Sequence, residues 1–162
     1  MLIGIMSDSH DNLHALKAAI QFFNDKEVEL VLHAGDLVSP FMIDALSRLN
    51  CTFKMCFGNN DGDKININRL VYRIGGSVGN FIETVCDNKK IGMLHGTSKA
   101  VVEALVKSGN FDIMISGHTH IPVINHGSTL YINPGEVSGV LTGNKTVALL
   151  EPEKLQAEII VL

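Results

Sequence analysis

Four short, mostly apolar runs, each breaking directly into a polar loop, constrain this chain more than any other feature. They are Leu2 to Met6 before Ser7-Asp8-Ser9-His10, Val28 to Leu32 before His33-Ala34-Gly35-Asp36, Thr52 to Phe57 before Gly58-Asn59-Asn60-Asp61-Gly62, and Ile113 to Ile115 before Ser116-Gly117-His118-Thr119-His120. Runs of this length without polar alternation suit strands covered on both faces. After the first, Asp11-Asn12 can cap a helix whose Leu13, Leu16, Ile20 and Phe23 recur at spacings of three and four. After the second, Ser39-Pro40 opens a helix predicted to run to about Leu49. Ile65 to Val71 is expected to hold one or two helical turns, and Gly75-Gly76-Ser77 a loop.

Phe81 to Val85 and Lys90 to Leu94 read as a hairpin whose second strand ends in His95-Gly96-Thr97-Ser98. Val101, Val102, Leu105 and Val106 then make the apolar face of a helix stopping near Ser108-Gly109. Pro122 to Asn125, Leu130 to Ile132, Thr146 to Leu150 and Ala157 to Val161 are short strands joined by turn residues, a β meander. The expected fold class is α/β, with two mixed β-sheets packed together, flanked by helices, in one domain over residues 1–162. Loops that carry function should gather where strand carboxyl ends meet.

Composition removes several classes of function. Hydrophobic content of 46% and charged content of 19% describe an ordinary globular chain, and no apolar run approaches the roughly 18–20 residues that span a bilayer. Met1 to Met6 is too short for a signal-peptide core, so a cytoplasmic location away from membranes is expected. Cys51, Cys56 and Cys86 are odd in number and form no CxxC pair, which suits small core residues rather than disulfides or a zinc knuckle. A net charge of −4 argues against a surface for duplex nucleic acid, although a small phosphate substrate held through bound cations remains compatible.

Asp8, His10, Asp36, Asn59, His95, His118 and His120 each fall at or just past the carboxyl end of an expected strand, across more than a hundred positions. Imidazoles, carboxylates and an amide without thiolates suit Mn²⁺, Fe²⁺, Ni²⁺ or Zn²⁺. Two divalent ions sharing a carboxylate would account for the number of ligands and leave positions for water and substrate.

The blocks Asp8-Ser9-His10, Gly35-Asp36, Gly58-Asn59-Asn60-Asp61, His95-Gly96 and Gly117-His118-Thr119-His120 occur in order, with Asn133-Pro134-Gly135 beyond them. In these blocks the chain resembles the calcineurin-like metallophosphoesterases, and among them the small single-domain phosphodiesterases. The resemblance implies a four-layer αββα sandwich and phosphodiester hydrolysis by a water activated between two metal ions, Mn²⁺ foremost. It implies Asp8, His10 and His120 on the first ion, Asn59, His95 and His118 on the second, and Asp36 bridging. Asp36, Asn60, Asp61 and His95 would surround the reacting groups, while Ser7, Ser9 and Thr97 would orient ligands or loops.

Two positions depart from the family's pattern. Asn60 stands where many larger members carry a histidine near the leaving group, and an amide cannot deliver a proton at neutral pH. Glu136 stands where the small group often has serine, and a carboxylate facing a phosphate pocket would disfavour a doubly charged monoester. Both favour a diester with an acidic leaving group. His14 and His126 are expected to have no metal role, whereas His33, at a buried strand end, is suited either to packing or to supporting a ligand. Alternatives are a scaffold like the retromer subunit of this fold, and a phosphomonoesterase; a homo-oligomer completing the substrate contacts stays open.

Overall fold

The computed structural model describes residues 1–162. β1 (Ile3–Met6) forms from the leading apolar run and is buried throughout. Its side chains alternate between two cores, as a period of two requires. Ile3 and Ile5 join a cluster with Leu30, Leu32, Ile91, Met93, Ile113 and Ile115, which fills the space between two sheets. Met6 joins Leu16, Ile20, Phe23, Val31, Leu46, Ile67 and Val71 in a second cluster between the first sheet and its helices.

With β2 (Leu30–His33), β3 (Thr52–Cys56), β4 (Ser77–Gly79), β10 (Thr146–Glu151) and β11 (Gln156–Val161), the first sheet has the order β11-β10-β1-β2-β3-β4, in which β1 to β4 are parallel. With β5 (Phe81–Cys86), β6 (Lys89–Leu94), β7 (Ile113–Ile115), β8 (Val123–Asn125) and β9 (Leu130–Asn133), the second has the order β5-β6-β7-β9-β8, in which β6, β7 and β9 are parallel. β5 and β6 are the expected hairpin. The architecture is the expected pair of mixed sheets flanked by helices.

α1 (Leu13–Asp25) starts where expected, with the Asn12 side chain accepting from the Ala15 N–H at 3.1 Å. Phe23, fully buried, lies over Gly4 of β1, where a Cβ would stand 2.6 Å from the ring. Glycine at that point lets helix and strand approach, and burying the ring contributes about 1.5–3 kcal/mol. On the far side, α4 (Lys99–Lys107) crosses between the parallel neighbours β6 and β7, with Val102 as its only buried residue.

Several expectations need correction. The helix opened by Ser39-Pro40 is a 3-10 turn (Pro40–Met42) and a short α2 (Ile43–Leu46), not a helix to Leu49. Asn24 of α1 holds the chain just beyond it by donating to the Arg48 carbonyl and accepting from the Asn50 N–H, at 2.8 and 3.0 Å. α3 (Lys64–Arg73) is longer than two turns because Asp63 caps it, accepting from the Asn66 N–H. Ser77 begins β4, a three-residue edge strand beside β3 that has no alternation to announce it. The tail is not one meander. β8 and β9 belong to the second sheet, whereas β10 and β11 belong to the first.

Candidate metal centre

The carboxyl ends of β1, β2 and β3 meet those of β6 and β7 at one corner, and the loops leaving them carry all the expected metal ligands together with Asn60 and Asp61. Asp8 and His10 follow β1, Asp36 follows β2, Asn59 to Asp61 follow β3, His95 follows β6, and His118 and His120 follow β7. Asp8, His10, Asp36, His118 and His120 all have positive φ, from 41° to 68°. Asp and His enter that region more readily than most residues other than glycine, and five such positions in these loops show backbone held by its surroundings.

Asp8 Oδ1 is buried and has no hydrogen-bond partner. Facing it are His120 Nε2 at 3.4 Å and His10 Nε2 at 3.6 Å, and these two nitrogens lie 3.3 Å apart with their rings stacked. The other Asp8 oxygen accepts from Ser7 Oγ at 2.5 Å and from the His118 N–H at 3.0 Å. Asp8, His10 and His120 thus converge as one cluster, and Asp8, Asp36 and His95 as another. Asp36 Oδ2 lies 3.2 Å from His95 Nε2 and 3.7 Å from His10 Nε2, between the two. Asn59 Oδ1 approaches His95 Nε2 at 3.1 Å, and the His118 ring meets the His95 ring edge-on at 5.1 Å.

The donor set fits divalent cations. Asp8, Asp36, Asp61 and Glu136 are buried in this corner, and no Lys or Arg pairs with any of them. Buried carboxylates without a fixed counter-charge are costly, and the histidines supply compensation only when protonated. A cation among Asp8, His10 and His120 would satisfy the orphaned oxygen as well as the two nitrogens facing it.

Electrostatics follow the same geometry. Burial works to raise the Asp36 carboxyl, but hydrogen bonds from His95 and from both N–H groups of Asn60 hold it well below the usual carboxylate range. His95 is the converse: burial works to lower it, and Asp36 together with the Ala34 carbonyl raises it. The His10 imidazole is raised by Asp8, with burial opposing and Asp36 adding. His33 differs, since full burial pushes it down to about 4 and leaves it neutral. It accepts from the Gly35 N–H at 3.1 Å through Nδ1 and donates through Nε2 to Ser9 Oγ at 3.1 Å. His33 therefore ties together the loops that carry His10 and Asp36.

Three positions stand otherwise than the sequence suggests. Asp61, expected among the reacting groups, has its oxygens taken by the Gly58, Asp36 and Val38 N–H groups at 2.6, 3.1 and 2.7 Å. It braces the loops behind the site. Asn60 has its side-chain amide engaged on Asp36 Oδ2, at 2.7 Å. Glu136 is fully buried against His120 Nδ1 at 2.9 Å and faces no substrate space, so the expected repulsion of a charged substrate does not arise from it. Burial works to raise its carboxyl, but hydrogen bonds from Ser138, Thr142 and His120 bring it down to about 2. Asn133 was missed as a brace: its amide donates to the Gly117 carbonyl at 2.8 Å and to Thr119 Oγ1 at 3.0 Å, holding the loop of His118 and His120. The available signal was the Asn133-Pro134-Gly135 block, with a polar residue at a strand end.

A family model described as the calcineurin-like phosphoesterase superfamily domain matches residues 1–155. The chain belongs to this superfamily. Among relatives of this calcineurin-like phosphoesterase, a protein from Methanocaldococcus jannaschii named phosphodiesterase is 41% identical over 165 residues, covering 100% of this chain and 99% of its own length. A solved structure described as a novel archaeal phosphodiesterase superposes with a TM-score of 0.97 at 41% identity, over 100% of both chains. Vacuolar protein sorting 29 of Entamoeba histolytica, solved with zinc, matches at a TM-score of 0.69 and 19% identity over 99% of each chain, a likeness of fold.

Proposed function

We propose that this chain is a divalent-metal-dependent phosphodiesterase acting on a small phosphodiester. The reading rests on the buried, unpartnered Asp8 oxygen facing two imidazole nitrogens, in a chain 41% identical from end to end to a named phosphodiesterase. Asp8, His10 and His120 would hold one ion, Asn59, His95 and His118 the other, with Asp36 shared. Nitrogen and oxygen donors without sulfur suit Mn²⁺, Ni²⁺, Fe²⁺ or Zn²⁺, and the family resemblance puts Mn²⁺ first. Ions held there supply acidity to a coordinated water and positive charge to the phosphoryl group.

The chain's own residues prepare this site. Asp36 stays ionised at neutral pH because His95 and Asn60 donate to it. His95 Nδ1 donates to the Ala34 carbonyl at 2.8 Å, so an ion that displaced the proton between His95 Nε2 and Asp36 would find Nε2 as the free nitrogen. No side-chain nucleophile is required. Ser7 is committed to Asp8, Ser9 to His33, and burial pushes the Cys56 thiol up. With Asn60 as an amide bound to Asp36, no residue at that position can protonate a poor leaving group, which favours diesters with acidic leaving groups.

Both cores share the first sheet, and we read residues 1–162 as one domain. No helix is long and apolar enough to cross a membrane, and three unpaired cysteines suit a reducing cytoplasm. A scaffold role has only the fold likeness behind it.

The test is hydrolysis of a chromogenic phosphodiester and its monoester by chelator-stripped protein, titrated with Mn²⁺, Ni²⁺, Zn²⁺ and Mg²⁺. Diester turnover restored by metal and exceeding monoester turnover is expected. Bound metal with neither ester hydrolysed would refute the reading.

A further inference from the structure

We infer that Glu136 is a positioning residue that locks His120 with Nδ1 protonated and Nε2 turned towards Asp8 and His10, and so strengthens one metal position over the other. The inference rests on the two-metal reading above. Its basis is the set of groups around Glu136. Oε2 accepts from Ser138 Oγ at 2.5 Å and from the Val140 and Leu141 N–H groups at 3.0 and 3.3 Å. Oε1 accepts from the Leu141 and Thr142 N–H groups at 3.0 and 2.6 Å and from Thr142 Oγ1 at 2.8 Å. A carboxylate surrounded by donors on every side has no proton to give, so in the remaining contact, at 2.9 Å, His120 Nδ1 is the donor.

The strap that carries Glu136 is itself tied to the site. The Val137 and Ser138 N–H groups donate to the carbonyls of Ser7 and Asp8 at 2.9 and 3.1 Å, and the Asn12 amide donates to the Ser138 carbonyl at 2.9 Å. Asp8, His120 and Glu136 are therefore held as one unit.

The second cluster lacks this device. His95 Nδ1 also donates, but to the neutral Ala34 carbonyl rather than to a carboxylate. A carboxylate behind an imidazole fixes its orientation and makes the far nitrogen a better donor, an effect of about 10–100-fold in metal affinity where measured. The two positions are thus unequal by construction, and the one with His120 fills first.

The experiment has two arms. In the first, the ring ¹⁵N shifts of His120 are read in metal-free wild-type protein in mildly alkaline solution, where protonated Nδ1 and bare Nε2 are expected. The reverse pattern overturns the inference, and this arm needs neither metal nor a variant. In the second, Mn²⁺ is titrated into stripped wild type and Glu136→Gln. The variant is expected to lose about 10–100-fold in affinity for one ion and to keep the other within about threefold. Equal losses at both positions, or none at either, overturn the inference. If E136Q does not fold, the wild-type ring pattern still decides whether Glu136 holds His120. Wild type that takes up no metal refutes the two-metal reading and the affinity difference with it, and the ring pattern then separates that failure from a wrong assignment of Glu136.

Discussion

Replacing Glu136 by glutamine is expected to cost the metal-free protein roughly 3 kcal/mol of stability at neutral pH, and far less in strong acid. The figure comes from the carboxyl itself, which folding takes from an ordinary 4.5 to about 2. Each unit of depression is worth about 1.4 kcal/mol. Burial opposes the change, and the donors from Ser138, Thr142 and His120 outweigh it. The side chain has no accessible surface, so solvent does not screen these contacts. Because the folded value lies below the unfolded one, the stabilisation is fully present above pH 4.5 and disappears as pH falls through about 2. Any loss from packing or neutral hydrogen bonds in the variant adds an offset that does not follow pH. The assay is urea unfolding followed by circular dichroism, with chelator present, at a series of pH values for wild type and E136Q. Taking the difference cancels the other carboxylates. A gap that stays constant with pH, or widens in acid, would refute the claim that an ionised Glu136 holds the strap.

Asp36→Asn is expected to weaken binding of both ions and abolish metal-restored turnover, whereas His10→Ala should lose roughly half the bound metal; equal, small losses by metal analysis would contradict a shared Asp36. Gly117→Ala would drive a Cβ into Ser7 Oγ and place it 2.6 Å from Asp8 Oδ2, and displacing the hydroxyl together with the carboxylate it donates to should reduce turnover on the order of 100-fold in protein that still folds. Wild-type turnover in that variant would show Asp8 free to move without consequence. Asn60→His supplies an acid that can protonate a leaving group, and monoester turnover should rise about tenfold or more, towards the ~100-fold usual for such a group. No gain would place this position away from the leaving group.

The strands that build the site were legible because burial leaves a pattern: β1, β2 and β7 appear as apolar runs buried on both faces, β3 as an alternation with Thr52 and Lys54 on its more exposed face, and their polar ends are where the loops begin. Local chemistry also announced the Asn12 cap and the hairpin of β5 and β6. What was illegible depends on partners distant in the chain. The chain does not continue α2 to Leu49 as expected, and Asn24, on another helix, holds the Arg48 carbonyl and the Asn50 N–H just beyond it. β4 exists only as an edge beside β3, and the four tail strands divide between two sheets by pairing rather than by any local signal.

The same division runs through the site. The sequence alone determined which residues stand at strand ends, because alternation, caps and motif order are written locally, and from these it determined a nitrogen and oxygen donor set. Only the tertiary structure decided what those residues face. Asp61 turned out to brace backbone amides, Asn60 to hold Asp36, and Glu136 to stand behind His120 rather than before the substrate. Side-chain direction at a loop is set by hydrogen bonds to segments far away in the chain, such as the His118 N–H on Asp8 and the Asn12 amide on the Ser138 carbonyl, and no local pattern encodes them.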